Sequence, residues 1–291
     1  MSPSAALQVE EREIDRILTR TSGYLQGIAT HSLQPYRGCP LGRSLCGQGC
    51  YVQHSWFTTR GREWGSFLEV RRGAAESYLR TVGGERRWAR RALGTFAIFL
   101  SSSTEPFPPQ ERRFRVTRGV LEAMLDEPPD LLIVQSHSHR VASEVELYRR
   151  LLGRTELRVH LSIETDRDRL PGLPPAASPV ARRLDAARRL KDAGVPVVIT
   201  VSPLLPIERP DSFFAHIAEV ADAVVLDHFI GGDGSQGGRR TQSTALPAAM
   251  AALDPQSLEL SYLEAMLEVA KRHLPGRVGR SREGFAGRFL A

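Results

Sequence analysis

Cys39, Cys46 and Cys50 are the only cysteines in a chain of 291 residues, and all three fall within twelve positions. The glycines among them, Gly38, Gly42, Gly47 and Gly49, let the backbone curl tightly enough for neighbouring thiolates to converge on one point. Converging thiolates select soft metals, either zinc or an iron–sulfur cluster. An odd number of thiols does not make a disulfide framework. A structural zinc wants four ligands, and His54, placed C-x3-H after Cys50, would complete a Cys3His set. A four-iron cluster held by three cysteines leaves one iron open to another ligand. On the cysteines alone, both readings stand.

The rest of the composition narrows the class. With 41% hydrophobic residues, the chain can bury a sizeable core. No run of eighteen apolar residues exists, so no membrane span is expected. The first residues, MSPSAALQVEEREID, lack the basic and apolar regions of a secretion signal, and a cytoplasmic location is expected. The net charge of +6 could mark a nucleic-acid partner. However, only Lys191 and Lys271 are lysines and the other basic residues are all arginine, a bias better explained by arginine on ordinary solvated helix faces.

The elements that must position the thiols follow from periodicity. Val9, Ile14, Ile17 and Leu18 share one side at helical spacing, which predicts a helix over 8–19. A first strand over 24–32 leads straight into the cysteine loop. Apolar strands follow at 95–101, 131–135, 157–163, 195–201 and 223–226, alternating with helices at 113–125, 143–152, 180–193 and 211–220. This rhythm means βα units and a parallel sheet of six strands. A last helix over 255–272 precedes a basic, glycine-rich tail, and Tyr262 and Met266, four apart on it, read as core. No GxGxxG follows a strand and no GxxxxGK[ST] occurs, which speaks against dinucleotide and P-loop sites. In parallel barrels the loops after the strands gather at one rim and carry the chemistry. Here those loops are the cysteine loop, SSSTEPFPP, QSHSHR, SIETDRD, SPLLPIERP and DHFIGGDG.

The segments TSGYLQGIATHSLQPYRGC, WGSFLEVRRGAAE, STEPFPPQE, the Ser136–His139 loop, SIETD and RRLDAARRLKDAGVPVVITVSPLLP, in that order, resemble the radical S-adenosylmethionine (SAM) proteins of the spore photoproduct lyase-like branch. The likeness runs from about residue 17 to 232. It implies an α/β fold, a partial (β/α)6 TIM-like barrel over 24–232. Flanking it would be an N-terminal helical extension (1–23) and a C-terminal helix with a basic tail (233–291). It also implies a [4Fe-4S] cluster on Cys39, Cys46 and Cys50, with SAM on the open iron. Reductive cleavage of SAM would give a 5′-deoxyadenosyl radical that takes hydrogen from a substrate in a water-poor pocket.

The resemblance further implies cofactor contacts from Ser103, Thr104 and Glu105 after the second strand, and from Ser162 and Glu164 after the fourth. Arg183 would pair with a carboxylate, Leu204 and Leu205 would form an apolar edge near adenine, and Tyr51 follows the last cysteine as in this branch. His137 and His139 read as rim residues, Asp227 and His228 as facing the substrate side, and His31 as a packing residue. A flavodoxin- or ferredoxin-type electron donor is the expected partner. The substrate is unknown, with nucleic acid among its candidates. Two departures stand out. The spacing is C-x6-C-x3-C where the family has C-x3-C-x2-C, and no fourth cysteine exists to return a hydrogen atom. The competing reading is a zinc-stabilised Cys3His protein that binds nucleic acid without catalysis.

Overall fold

The computed structural model describes residues 6–291, so the first five residues of the expected N-terminal extension lie outside it. The strands are β1 (Gln8–Glu13), β2 (Leu18–Arg20), β3 (His31–Leu33), β4 (Tyr36–Gly38), β5 (Phe67–Arg72) and β6 (Ala97–Leu100). They continue with β7 (Leu131–Ser136), β8 (Glu156–Ser162), β9 (Val197–Val201), β10 (Ala223–Leu226), β11 (Val278–Arg280) and β12 (Phe289–Leu290). Nine of them form one sheet in the order β12-β11-β10-β9-β8-β7-β6-β3-β2. Every neighbour from β3 to β11 is parallel, while β2 and β12 close the two edges antiparallel. The two edges do not pair with each other, which makes a partial, open barrel as expected.

The alternation of side chains along a strand sorts two cores. One row, including Ile98, Leu132, Val134, Val159, Leu161, Ile199 and Val224, packs outward against the helices Val116–Asp126, Val145–Leu152, Val180–Asp192 and Pro210–Val220. The other row, with Ala97, Phe99, Ile133, Val198, Ala223 and Val225, meets in a second cluster on the inner face. Strands buried on both faces read as continuous apolar runs, which is why β9 is buried at all five positions. Tyr262 and Met266 lie in the outer core, and the amide of Ile207 donates to the Tyr262 hydroxyl.

Two expectations need correction. The predicted helix over 8–19 is instead the exposed strand β1, held by parallel pairing to β5 in a small sheet ordered β1-β5-β4. The predicted strand over 24–32 shortens to β3, and Gly23–Leu25 is a single 3-10 turn. The glycine-rich tail carries a further strand and a short helix. Its β11 extends the parallel sheet beyond β10, and Phe285 from the helix Ser281–Phe285 fills the inner face.

Candidate functional site

The inner row changes character near the C-terminal ends of the strands. Gln135, Ser162 and Thr200 replace its aliphatic residues, and Asp227 follows β10 on the same face. A cavity of about 310 Å³ opens there, within the size range of small-molecule sites. Cys46, Cys50, Tyr51, Ser103, Ser162, Glu164, Arg183 and Leu205 line it. The cysteine loop, three strand ends and the helix that carries Arg183 thus bring most of the expected site residues to one cavity.

The cysteine loop folds as a turn Pro40–Arg43, a short helix Leu45–Gln48 and a second turn Tyr51–His54. Gly47 is obligatory there, because a Cβ on it would sit 2.2 Å from the Gly42 backbone. Cys39 is buried beside Val52 and Trp64 and does not line the cavity, whereas Cys46 and Cys50 do. Burial, then the nearby Cys46 and Cys50, push the Cys39 thiol well above its ordinary value. Burial and Cys46 likewise push Cys50 up to about 12. Thiols that oppose one another's ionisation form a donor set that a bound cation relieves. Among the described residues, no group of three or more His, Cys, Asp or Glu side chains is set to hold a single metal ion. His54, the fourth ligand of the zinc reading, is exposed and away from the cavity.

The imidazole that does reach the loop is His137. Its Nδ1 lies 2.7 Å from Glu164 Oε1, and the ring interacts with the Cys46 sulfur. Burial opposes its protonation, but Cys46 and Glu164 outweigh burial and hold the imidazole well above its ordinary value. Arg183 donates from Nη1 to Glu164 Oε2 and to the Ser162 carbonyl, each at 2.7 Å. Burial would raise the Glu164 carboxyl, yet Arg183 and His137 keep it well below the usual carboxylate range. Arg183 Nε is buried with no partner. His139 turns away and bonds Ser178, so only one of the two rim histidines enters the site.

Within the STEP loop the three expected contacts separate. Ser103 lines the cavity. Thr104 instead donates to the Tyr36 carbonyl (3.1 Å) and Gln34 Oε1 (3.2 Å). Glu105 is buried and accepts from Phe107 N, Ser136 Oγ and His137 N at 2.7–2.9 Å. It therefore fixes the backbone that carries His137. Leu205 joins Leu45, Phe229 and Leu246 in an apolar roof, while Leu204 faces the outer core rather than the cavity. His31 is packed against Trp88 and Phe96 and bonded to Glu85, as its packing role requires. Sequence reasoning missed Tyr24 and Gln135 on the cavity wall. The signal for Gln135 was present, since it is the polar residue closing the LLIVQ strand.

No family model matches the sequence. An uncharacterized protein, ORF301 of Acidianus two-tailed virus, is 28% identical over 166 residues, which span 54% of this chain and about half (51%) of the viral protein. Among solved structures, spore photoproduct lyase complexed with dinucleoside spore photoproduct superposes with a TM-score of 0.64 at 15% identity, covering 94% of this chain and 81% of the lyase. A variant of that lyase with bound AdoMet and the same dinucleoside gives 0.63 at 14% identity, over the same shares of the two chains. The fold of this chain is that of spore photoproduct lyase.

Proposed function

We propose that this chain, built on the spore photoproduct lyase fold, is a radical SAM enzyme with a [4Fe-4S] cluster on Cys39, Cys46 and Cys50. The observation that carries the proposal is one juxtaposition. Every thiol of the chain sits in one loop at the strand-end rim of a partial barrel, and that loop opens onto a cavity with an ion-paired Glu164–Arg183–His137 group. Three thiols in one loop, with no fourth, fit a cluster with an open iron in number and in donor chemistry.

When bound, the cluster and SAM supply the one-electron chemistry that removes a hydrogen atom from a substrate. The chain's own residues hold and shield that chemistry. With the cofactor bound, Glu164 would accept a hydrogen bond from its ammonium group. Arg183, whose Nε lacks a partner, and His137 face a carboxylate. Ser162 and Ser103 offer hydroxyls to the same ligand, and Tyr51 lies beside Cys50. The roof of Leu45, Leu205, Phe229 and Leu246 excludes water. Thr104 and Glu105 act through position, Thr104 by anchoring its loop to the Gln34–Tyr36 segment and Glu105 by fixing the His137 amide. The electron comes from a flavodoxin- or ferredoxin-type donor in the cytoplasm. With no fourth cysteine in the sequence, a hydrogen returned to a product would not come from a further thiol of these residues.

Anaerobic purification with iron, sulfide and zinc analysis tests the reading. A brown protein with about four irons and matching sulfide, lost in Cys46→Ala, is expected, together with 5′-deoxyadenosine on adding SAM and dithionite. A colourless protein that holds one zinc and takes up no cluster on reconstitution would overturn it.

A further inference from the structure

The same cavity holds a second carboxylate, Asp227, and its surroundings differ in kind. Asp227 is 3% exposed and accepts hydrogen bonds from the Tyr24 phenol (3.1 Å) and the Ser202 hydroxyl (3.3 Å), and the Ser281 side chain also favours its charged form. All three groups are neutral hydroxyls, and among the described residues Asp227 makes no ion pair. The backbone is shaped to admit this carboxylate, since a Cβ on Gly232 would fall 2.4 Å from Asp227 Oδ2. Arg282 and Arg240 act on the neighbouring Tyr24 and Tyr51 without forming an ion pair with Asp227, and the closer titratable groups do not balance its charge. Asp233 is itself acidic and held by Ser235 and Thr241. His228 accepts the Ile230 amide at Nδ1 and uses Nε2 on the Ser257 carbonyl, so both ring nitrogens are occupied by a neutral ring.

A second acceptor faces the same space. Gln135 commits its Nε2 to Ser162 Oγ (2.8 Å) and Thr200 Oγ1 (3.1 Å), which leaves its buried Oε1 with no partner. Between these acceptors the wall is apolar, with Leu25, Ile28, Phe99 and Phe285. A buried carboxylate without a cation, or a buried carbonyl without a donor, is costly unless something else completes it.

We propose that this part of the cavity binds a small primary amine with an apolar body, the ammonium on Asp227 and a further donor group on Gln135 Oε1. The proposal deepens the radical SAM reading, since it names the substrate class of the same chamber. Burial, together with Asp233, pushes the Asp227 carboxyl above its ordinary value, an unfavourable state that a bound cation reverses.

The test uses the metal-free full chain, so that it stands apart from cluster chemistry. Melting temperature and titration calorimetry are followed with n-butylamine hydrochloride, and with 1-butanol and sodium butyrate as neutral and anionic counterparts. A saturable rise with the amine alone is expected, weakened at least tenfold in Asp227→Asn and about threefold or more in Gln135→Leu, but kept in Glu164→Gln. No amine-dependent rise in the wild type would overturn the proposal, as would a rise that survives Asp227→Asn or vanishes in Glu164→Gln. Should Asp227→Asn not fold, Gln135→Leu decides alone, and unchanged binding there overturns it. Loss of cluster loading with amine binding intact would sink the radical reading and leave the amine site standing.

Discussion

Glu164 and Asp227 end the inner rows of β8 and β10, with only β9 between them, and both line one cavity. Their environments are opposite. Glu164 is enclosed by Arg183 and His137, so the protein itself neutralises it. Asp227 is met only by hydroxyls. The difference teaches which charges the fold completes and which it leaves for a ligand. At the cysteine end, the ion-paired group is a preformed, rigid frame for a polar cofactor. At Asp227 the carboxylate is held in place without being neutralised, which costs stability in the free protein and is recovered on binding.

Arg183→Met breaks the first half of this contrast and carries the largest effect. It strands Glu164, which is buried with Arg183 as its strongest cationic partner. Losing one partner of a buried pair costs about 3–5 kcal/mol, and urea denaturation at pH 7 should show a loss of that order. The double variant Glu164→Gln/Arg183→Met should recover most of it, since the buried carboxylate that Arg183 compensated is then gone as well. A loss below about 1 kcal/mol, the range of exposed pairs, would show that Glu164 is not the enclosed group described here.

A third ionisable group on the inner face sharpens the comparison. His160 is 1% exposed, with Nδ1 unpartnered, and lies against Phe99 and Phe285. Burial, then Arg158, lower its imidazole to about 3. The unfolded chain therefore takes a proton near pH 6.5 that the folded chain refuses until about pH 3. Stability is complete above pH 6.5 and falls as pH drops through that window, by about 1.4 kcal/mol per pH unit. Measured against His160→Gln between pH 6.5 and 4.5, the wild type should lose stability more steeply by that slope. Parallel curves would mean that His160 titrates alike in both states.

Much of this arrangement was legible in the sequence, and the failures have physical causes. The five strands β6 to β10 declared themselves because apolar runs such as VVITV have no other use, and their polar ends marked the rim. The strand β1 did not, since QVEERE is an exposed edge whose backbone pairing with β5, rather than any buried face, fixes its conformation. The strand β11 is three residues long, too short for a period to register. Within the site, residue type indicated polarity but not direction. Ser103, Thr104 and Glu105 are consecutive in one loop, and only their partners decide that the first lines the cavity while the other two brace it. Tyr24 reaches Asp227 across most of the chain length, a contact no local pattern encodes.

The smallest effect tests the second half of the comparison. Asp227→Asn keeps the shape of the side chain and removes only its charge. Because the folded carboxyl is raised by burial, the ionised wild type is penalised as pH rises above the unfolded value near 3.8. That penalty disappears in the variant. The new carboxamide would still accept from two of the three hydroxyls, and the mismatch at its amide nitrogen is worth about 1 kcal/mol, the net value of one hydrogen bond. At pH 7 the variant should therefore lie within about 1 kcal/mol of the wild type, and the difference should move in the variant's favour between pH 4 and pH 8. A cost comparable to that of Arg183→Met, or one that grows with pH, would mean that an unnoticed cation already balances Asp227. The two carboxylates would then be alike, and the case for a cationic ligand would fall with the contrast.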